Sequence, residues 1–177
     1  MNKLLYILAL LPLITACGPR LSPYTQRLYE DQNWNENDLR RIQFYLSEDL
    51  VLSREARGGS TTIERGQIKI IDGREVEQVV IKRNTPGVFV FTPRENRMAV
   101  SFEASDDLFV VFGPNPRTGN RYTLRGSEWN RRGGKVTYAG TEWYVSGNDA
   151  LAHLMVPLKR QRNRDVNSRV AGGRKID

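Results

Sequence analysis

Few groups in this chain are equipped for covalent chemistry: one histidine, His153, one cysteine, Cys17, and a carboxylate cluster at Glu103, Asp106 and Asp107. Two carboxylates facing each other can cleave a glycosidic bond, one as acid and the other as base or nucleophile. Asp106 and Asp107, however, belong to "ASDD", a polar quartet between apolar runs, which is the composition of a hairpin turn. His153 alternates with Leu151 and Met155, a pattern that makes it a structural or exposed histidine on a strand rather than a general base. No serine stands in a Gly-x-Ser-x-Gly elbow. A tight zinc site draws on several Cys and His ligands, and the chain has one of each. "GPNPRTGN" (113–120) and "NRRGGK" (130–135) carry glycine without the strand, glycine loop, lysine and helix order that cradles phosphates. The expectation is a protein that is not an enzyme and holds neither metal nor cofactor.

Binding chemistry is better supplied. Tyr122, Trp129, Tyr138, Trp143 and Tyr144 interleave with Arg121, Arg125, Arg131, Arg132 and Lys135. Aromatic rings can stack on sugars or bases while guanidinium groups grip phosphates or carboxylates. The charge points the same way. Residues 117–177 hold thirteen Lys and Arg against five Asp and Glu, whereas the first 116 hold fourteen against fifteen. The last third thus carries the entire basic excess behind the net charge of +7, and such a field favours anionic partners. The candidate contact residues are Arg121, Arg125, Trp129, Arg131, Arg132, Lys135 and Trp143. The competing reading is that the aromatics are ordinary strand and core residues and that the charge is a solvated face.

The opening segment sets where such binding takes place. Lys3 gives a positive start, Leu4 to Leu13 is an apolar run, and Ile14-Thr15-Ala16-Cys17 closes it. That is the order of a secretory signal. The tetrapeptide resembles the lipobox of bacterial lipoproteins, with Ile14 where leucine is usual. The resemblance implies that Cys17 is diacylated on sulfur and that the chain is cut before it, and in that family the new amine is often acylated too. Each buried methylene contributes about 0.8 kcal/mol, so one acyl chain holds marginally and two or three hold firmly. The competing reading, a core helix ending in a buried thiol, does not account for Gly18-Pro19, which breaks a helix at once.

Within that resemblance, Gly18 in place of aspartate implies transfer to the outer membrane. The absence of acid from Gly18 to Pro23 implies a domain facing the periplasm. Nucleic acid is a poor partner at that address. Lipopolysaccharide phosphates, peptidoglycan or an envelope protein remain, together with anionic lipid. The mature part also bears a general resemblance to small envelope lipoproteins of the Bacteroidota type.

The elements that must position the candidate residues are mostly strands. Asn35 or Asn37 caps a short helix over about 36–42, and a strand begins near Gln43 and is continued by Leu50-Val51-Leu52. A weaker helical pattern covers Tyr24 to Asp31. Gln67–Ile70 leads through the Asp72-Gly73 turn to Val76–Lys82. Val88–Phe91, Met98–Phe102, Leu108–Phe112, Arg121–Leu124, Lys135–Tyr138, Thr141–Val145 and Leu151–Leu158 follow. With about nine or ten short strands the chain is mainly β, an antiparallel meander, partly closed barrel or sandwich. The organisation expected is a signal peptide at 1–16, a lipidated tether at 17–23, one β-rich domain at 24–158, and a flexible basic tail at 159–177. No later segment approaches the ~18 apolar residues of a membrane-spanning helix.

The function expected from these observations is a non-enzymatic outer-membrane lipoprotein. Facing the periplasm, it would serve as an accessory or scaffold subunit of an envelope complex through a basic C-terminal face. Two alternatives stand beside it: a lipid or glycan carrier with a β-barrel cavity, and a cell-wall enzyme or an inhibitor of one.

Overall fold

The computed structural model describes residues 20–55, 67–71 and 74–158. The signal segment, Cys17, the Asp72-Gly73 turn and the basic tail lie outside the described residues. The described chain is mainly β. Its strands are β1 (Leu21–Pro23), β2 (Gln43–Leu46), β3 (Leu50–Glu55), β4 (Gln67–Ile71), β5 (Arg74–Ile81), β6 (Pro86–Phe91), β7 (Met98–Ser101), β8 (Phe109–Asn115), β9 (Arg121–Leu124), β10 (Gly133–Tyr138), β11 (Thr141–Ser146) and β12 (Leu154–Pro157). Two short helices, α1 (Gln26–Gln32) and α2 (Glu36–Leu39), precede β2. No helix among the described residues is long and apolar enough to cross a membrane.

Every pairing is antiparallel. A seven-stranded sheet runs β1-β12-β2-β6-β7-β8-β9, and a five-stranded sheet runs β10-β11-β3-β5-β4. Loop chemistry sets several of the reversals. Asn84, Asn96 and Asn120 all adopt positive φ between or beside strands, a conformation asparagine tolerates better than most residues. Buried residues of both sheets form one core cluster that includes Phe44, Leu52, Val110, Phe112, Leu124, Trp143, Val145 and Leu154. Tyr24, wholly buried, is its hinge. The Tyr24 ring packs edge-on to Tyr122 at 4.7 Å and to Phe44 at 5.3 Å. Its N–H donates to the Leu154 carbonyl at 2.8 Å, and its own carbonyl accepts from the Tyr122 N–H at 3.0 Å. One residue thus joins β12 to β9. Burial also pushes the Tyr24 phenol well above its ordinary pKa, with the neighbouring tyrosines adding to the effect.

Several expectations need correcting. Residues 21–23 are part of the domain: Leu21, Ser22 and Pro23 pair with Pro157, Val156 and Met155. The prolines and glycine that read as tether hid an edge strand, and an edge is where a strand tolerates proline. The strand expected to end at Phe112 runs on, because Gly113-Pro114-Asn115 continue β8, and Pro116–Thr118 form a 3-10 turn. The last strand starts at Leu154. Leu151 ends a 3-10 turn and is exposed, so it does not share a strand face with His153.

Candidate functional site

The residues proposed for binding separate on folding. In β11 the side chains alternate, so Trp143 and Val145 are buried while Tyr144 between them is exposed. Trp143, at 3% exposure, is therefore a core residue and not part of a contact face. Its indole N–H donates to the Tyr138 carbonyl at 3.1 Å and to Thr141 Oγ1 at 3.0 Å. The Arg54 guanidinium lies 4.4 Å from its ring centroid and is held by Glu77 at 2.7 Å. Tyr122 and Tyr138 are buried as well. The Tyr122 hydroxyl donates to Gln26 Oε1 at 2.7 Å, and burial pushes its pKa up to about 12. The Tyr138 hydroxyl donates to the Glu103 carboxylate.

The cations divide similarly. Arg125 is half-buried, donates to the Pro114 carbonyl at 2.8 Å, and leaves its Nε without a partner among the described residues. Burial, helped by Arg97, holds its pKa below the ordinary arginine value. Lys135 is engaged by two acids, Glu128 at 3.0 Å and Glu142 at 3.8 Å, which raise its pKa. Arg121 lies on β9, where it bridges to Thr25.

Three candidates, Trp129, Arg131 and Arg132, do come together in the open, joined by Tyr144. Gly133 and Gly134 begin β10, and Trp129, Arg131 and Arg132 immediately precede them in the chain. The Tyr144 hydroxyl donates to the Arg132 carbonyl at 2.6 Å. Trp129 lies so close to Gly134 that a Cβ there would stand 2.5 Å from ring atom Cδ2, so only glycine admits the indole. Trp129 and Tyr144 remain 38% and 43% exposed. Arg131 and Arg132 are exposed and make no ion pair among the described residues. Ser127 covers the outer edge of β10 with two hydrogen bonds to Lys135, 2.8 and 2.9 Å.

The groups considered for covalent chemistry are also placed. Glu103, Asp106 and Asp107 lie between β7 and β8, where the Ser101 hydroxyl donates to the carbonyls of Glu103 and Ser105. His153 is nearly buried and bridges to Thr123. Ser47 Oγ accepts its main-chain N–H at 2.9 Å and lies 3.0 Å from ring atom Nδ1. That serine was not visible as a partner in the sequence, being 106 residues away. Burial lowers the His153 pKa, Arg121 adds to this, and the Leu151 carbonyl and Glu48 oppose it. No carboxylate bonds the ring among the described residues. No group of three potential metal ligands occurs among them either.

A groove of about 840 Å3 forms a second feature, on the other side of the chain's topology. It runs between α1, the α1–β2 connection and the paired β1 and β12. Leu28, Trp34 and Ile42 line it half-buried against the core. Arg20 and Arg41 line it exposed, and no acid among the described residues does. Trp34 stacks nearly parallel to Tyr24 at 6.0 Å. None of these residues was singled out from the sequence, since each is an ordinary residue until β1 and β12 meet. No protein-family model, no curated protein and no solved structure matches this chain.

Proposed function

We propose that the protein is a lipid-anchored, non-enzymatic accessory subunit of the cell envelope. Cys17 fastens it to the outer membrane with the domain facing the periplasm, and an exposed corner of the domain binds an acidic partner protein. The observation that carries the binding role is the gathering of Trp129, Arg131, Arg132 and Tyr144 about Gly133-Gly134. Two exposed aromatics and two arginines that make no ion pair among the described residues are a composition suited to a binding hot spot. The anchoring role rests on the Ile14-Thr15-Ala16-Cys17 lipobox and the apolar run before it. The scaffold that presents the corner is, on this reading, a β-sandwich, because a single core draws on both sheets.

Affinity capture of the acylated protein from membranes in mild detergent tests the proposal. Arg131→Glu with Arg132→Glu should deplete a specific co-purifying protein by tenfold or more, as expected for losing hot-spot arginines. Lys135→Gln should leave recovery within about twofold, since Glu128 and Glu142 already occupy its charge. Equal recovery with the double reversal would refute the corner as the contact face.

A further inference from the structure

The groove beside β1 and β12 has an orientation that follows from the chain itself. Arg20 is exposed, lines the groove, and stands three residues after Cys17. Three extended residues span at most about 11 Å. Whatever holds Cys17 therefore lies within about that distance of Arg20. Leu21 pairs with Pro157, so the chain leaves the domain beside the point where it arrives. Leu158, 43% exposed, lines the same groove. The sequence beyond it, 159–177, carries seven Lys and Arg against two Asp.

We infer that this groove is a membrane-docking face that seats on the anionic phospholipid of the leaflet holding Cys17. The inference rests on the anchoring part of the proposed function and assigns the acylated domain a fixed posture. Its surface has the required chemistry. Arg20 and Arg41 offer two cations to lipid phosphates, and juxtamembrane basic residues gain from an anionic surface. Leu28, Ile42 and Trp34 supply apolar and aromatic groups at headgroup depth, where tryptophan is favoured. No acid among the described residues lines the groove itself. On the flanking helices Asp31 meets Arg27 at 3.4 Å, while Glu30 and Asp38 accept from the uncharged Gln26 side chain and Asn35 N–H at 2.8 and 3.1 Å. With this face down, Leu158, the last described residue, lies at the lipid surface.

The acylated protein, reconstituted into phosphatidylethanolamine–phosphatidylglycerol vesicles with brominated phosphatidylglycerol chains, gives the test. Tryptophan emission should be quenched, and Trp34→Phe should abolish that quenching although Trp129 and Trp143 remain. Arg20→Glu with Arg41→Glu should reduce the docked-to-undocked ratio about tenfold or more, as should replacing phosphatidylglycerol by brominated phosphatidylcholine. Quenching that survives Trp34→Phe, or that ignores the double reversal because the tail alone binds, would overturn the docking face. The intact mass of the same sample separates the two levels. An acyl mass with Trp34 unquenched defeats the docking face alone, whereas no acyl mass defeats the anchor and the docking face with it.

Discussion

Leu21 pairs with Pro157 across an antiparallel register, and this places the first and last strands of the domain side by side. The consequence is spatial. The chain that comes from Cys17 and the chain that continues into the basic segment share one edge of the seven-stranded sheet. The corner proposed to bind a partner, by contrast, is built at the start of β10 in the other sheet. The proposed anchoring and the proposed partner binding thus fall on separate elements.

Trp143→Ala removes a large side chain at 3% exposure, so the cost is a core cavity of about 3–5 kcal/mol. Urea unfolding should show it as a lower midpoint. A loss under about 1 kcal/mol would mean that the indole is not packed as described.

Gly134→Ala forces a methyl group against the Trp129 ring. Displacing the indole should cost about 1–3 kcal/mol and change the emission of a chain that has three tryptophans. Gly134→Ala with Trp129→Ala should recover much of that loss, because the clash then has no second partner. Additive losses in the double variant would contradict the contact.

His153 ties stability to pH. Burial lowers its folded pKa below the ordinary 6.5, so in acid the unfolded chain takes up a proton that the folded chain resists. The contribution is fully present above pH 6.5, is lost as pH falls from there through the folded value, and levels off below it. His153→Gln should flatten this part of the stability profile relative to the parent protein. An unchanged slope in the variant would show that other groups carry the dependence.

Asn35 closes α2. Its side-chain oxygen accepts the N–H groups of Asn37 and Asp38 at 2.9 and 3.2 Å, and Asp38 returns a bond to the Asn35 N–H. Asn35→Ala should cost about 1 kcal/mol. It should also loosen Ile42 and Arg41 just beyond the helix, read as faster amide exchange there. Unchanged exchange at Arg41 and Ile42 would mean the cap does not set the groove wall.

Much of the strand pattern was legible because the domain alternates. Val110 and Phe112 sit where period-two burial expects them, whereas β7 is buried at all four positions from Met98 to Ser101. The α2 start was legible because Asn35, Glu36 and Asp38 are capping and first-turn residues. Leu21–Pro23 was not, since a three-residue edge strand with proline has no local signature and exists only through β12. The binding candidates were half legible. Their alternation along β11 divides Trp143 from Tyr144, but composition alone had placed Trp143 on the contact face and left out Tyr144. Arg20, Trp34, Arg41 and Leu158 had no signal, because tertiary pairing alone brings them into one groove.

The most direct measurement is the intact mass of the native protein extracted from membranes, with its amino terminus sequenced by fragmentation. The account predicts a chain that begins at Cys17 and carries the added mass of a diacylglyceryl group, with or without a further acyl chain on the amine. A product that begins at Met1 with an unmodified Cys17 thiol would contradict it.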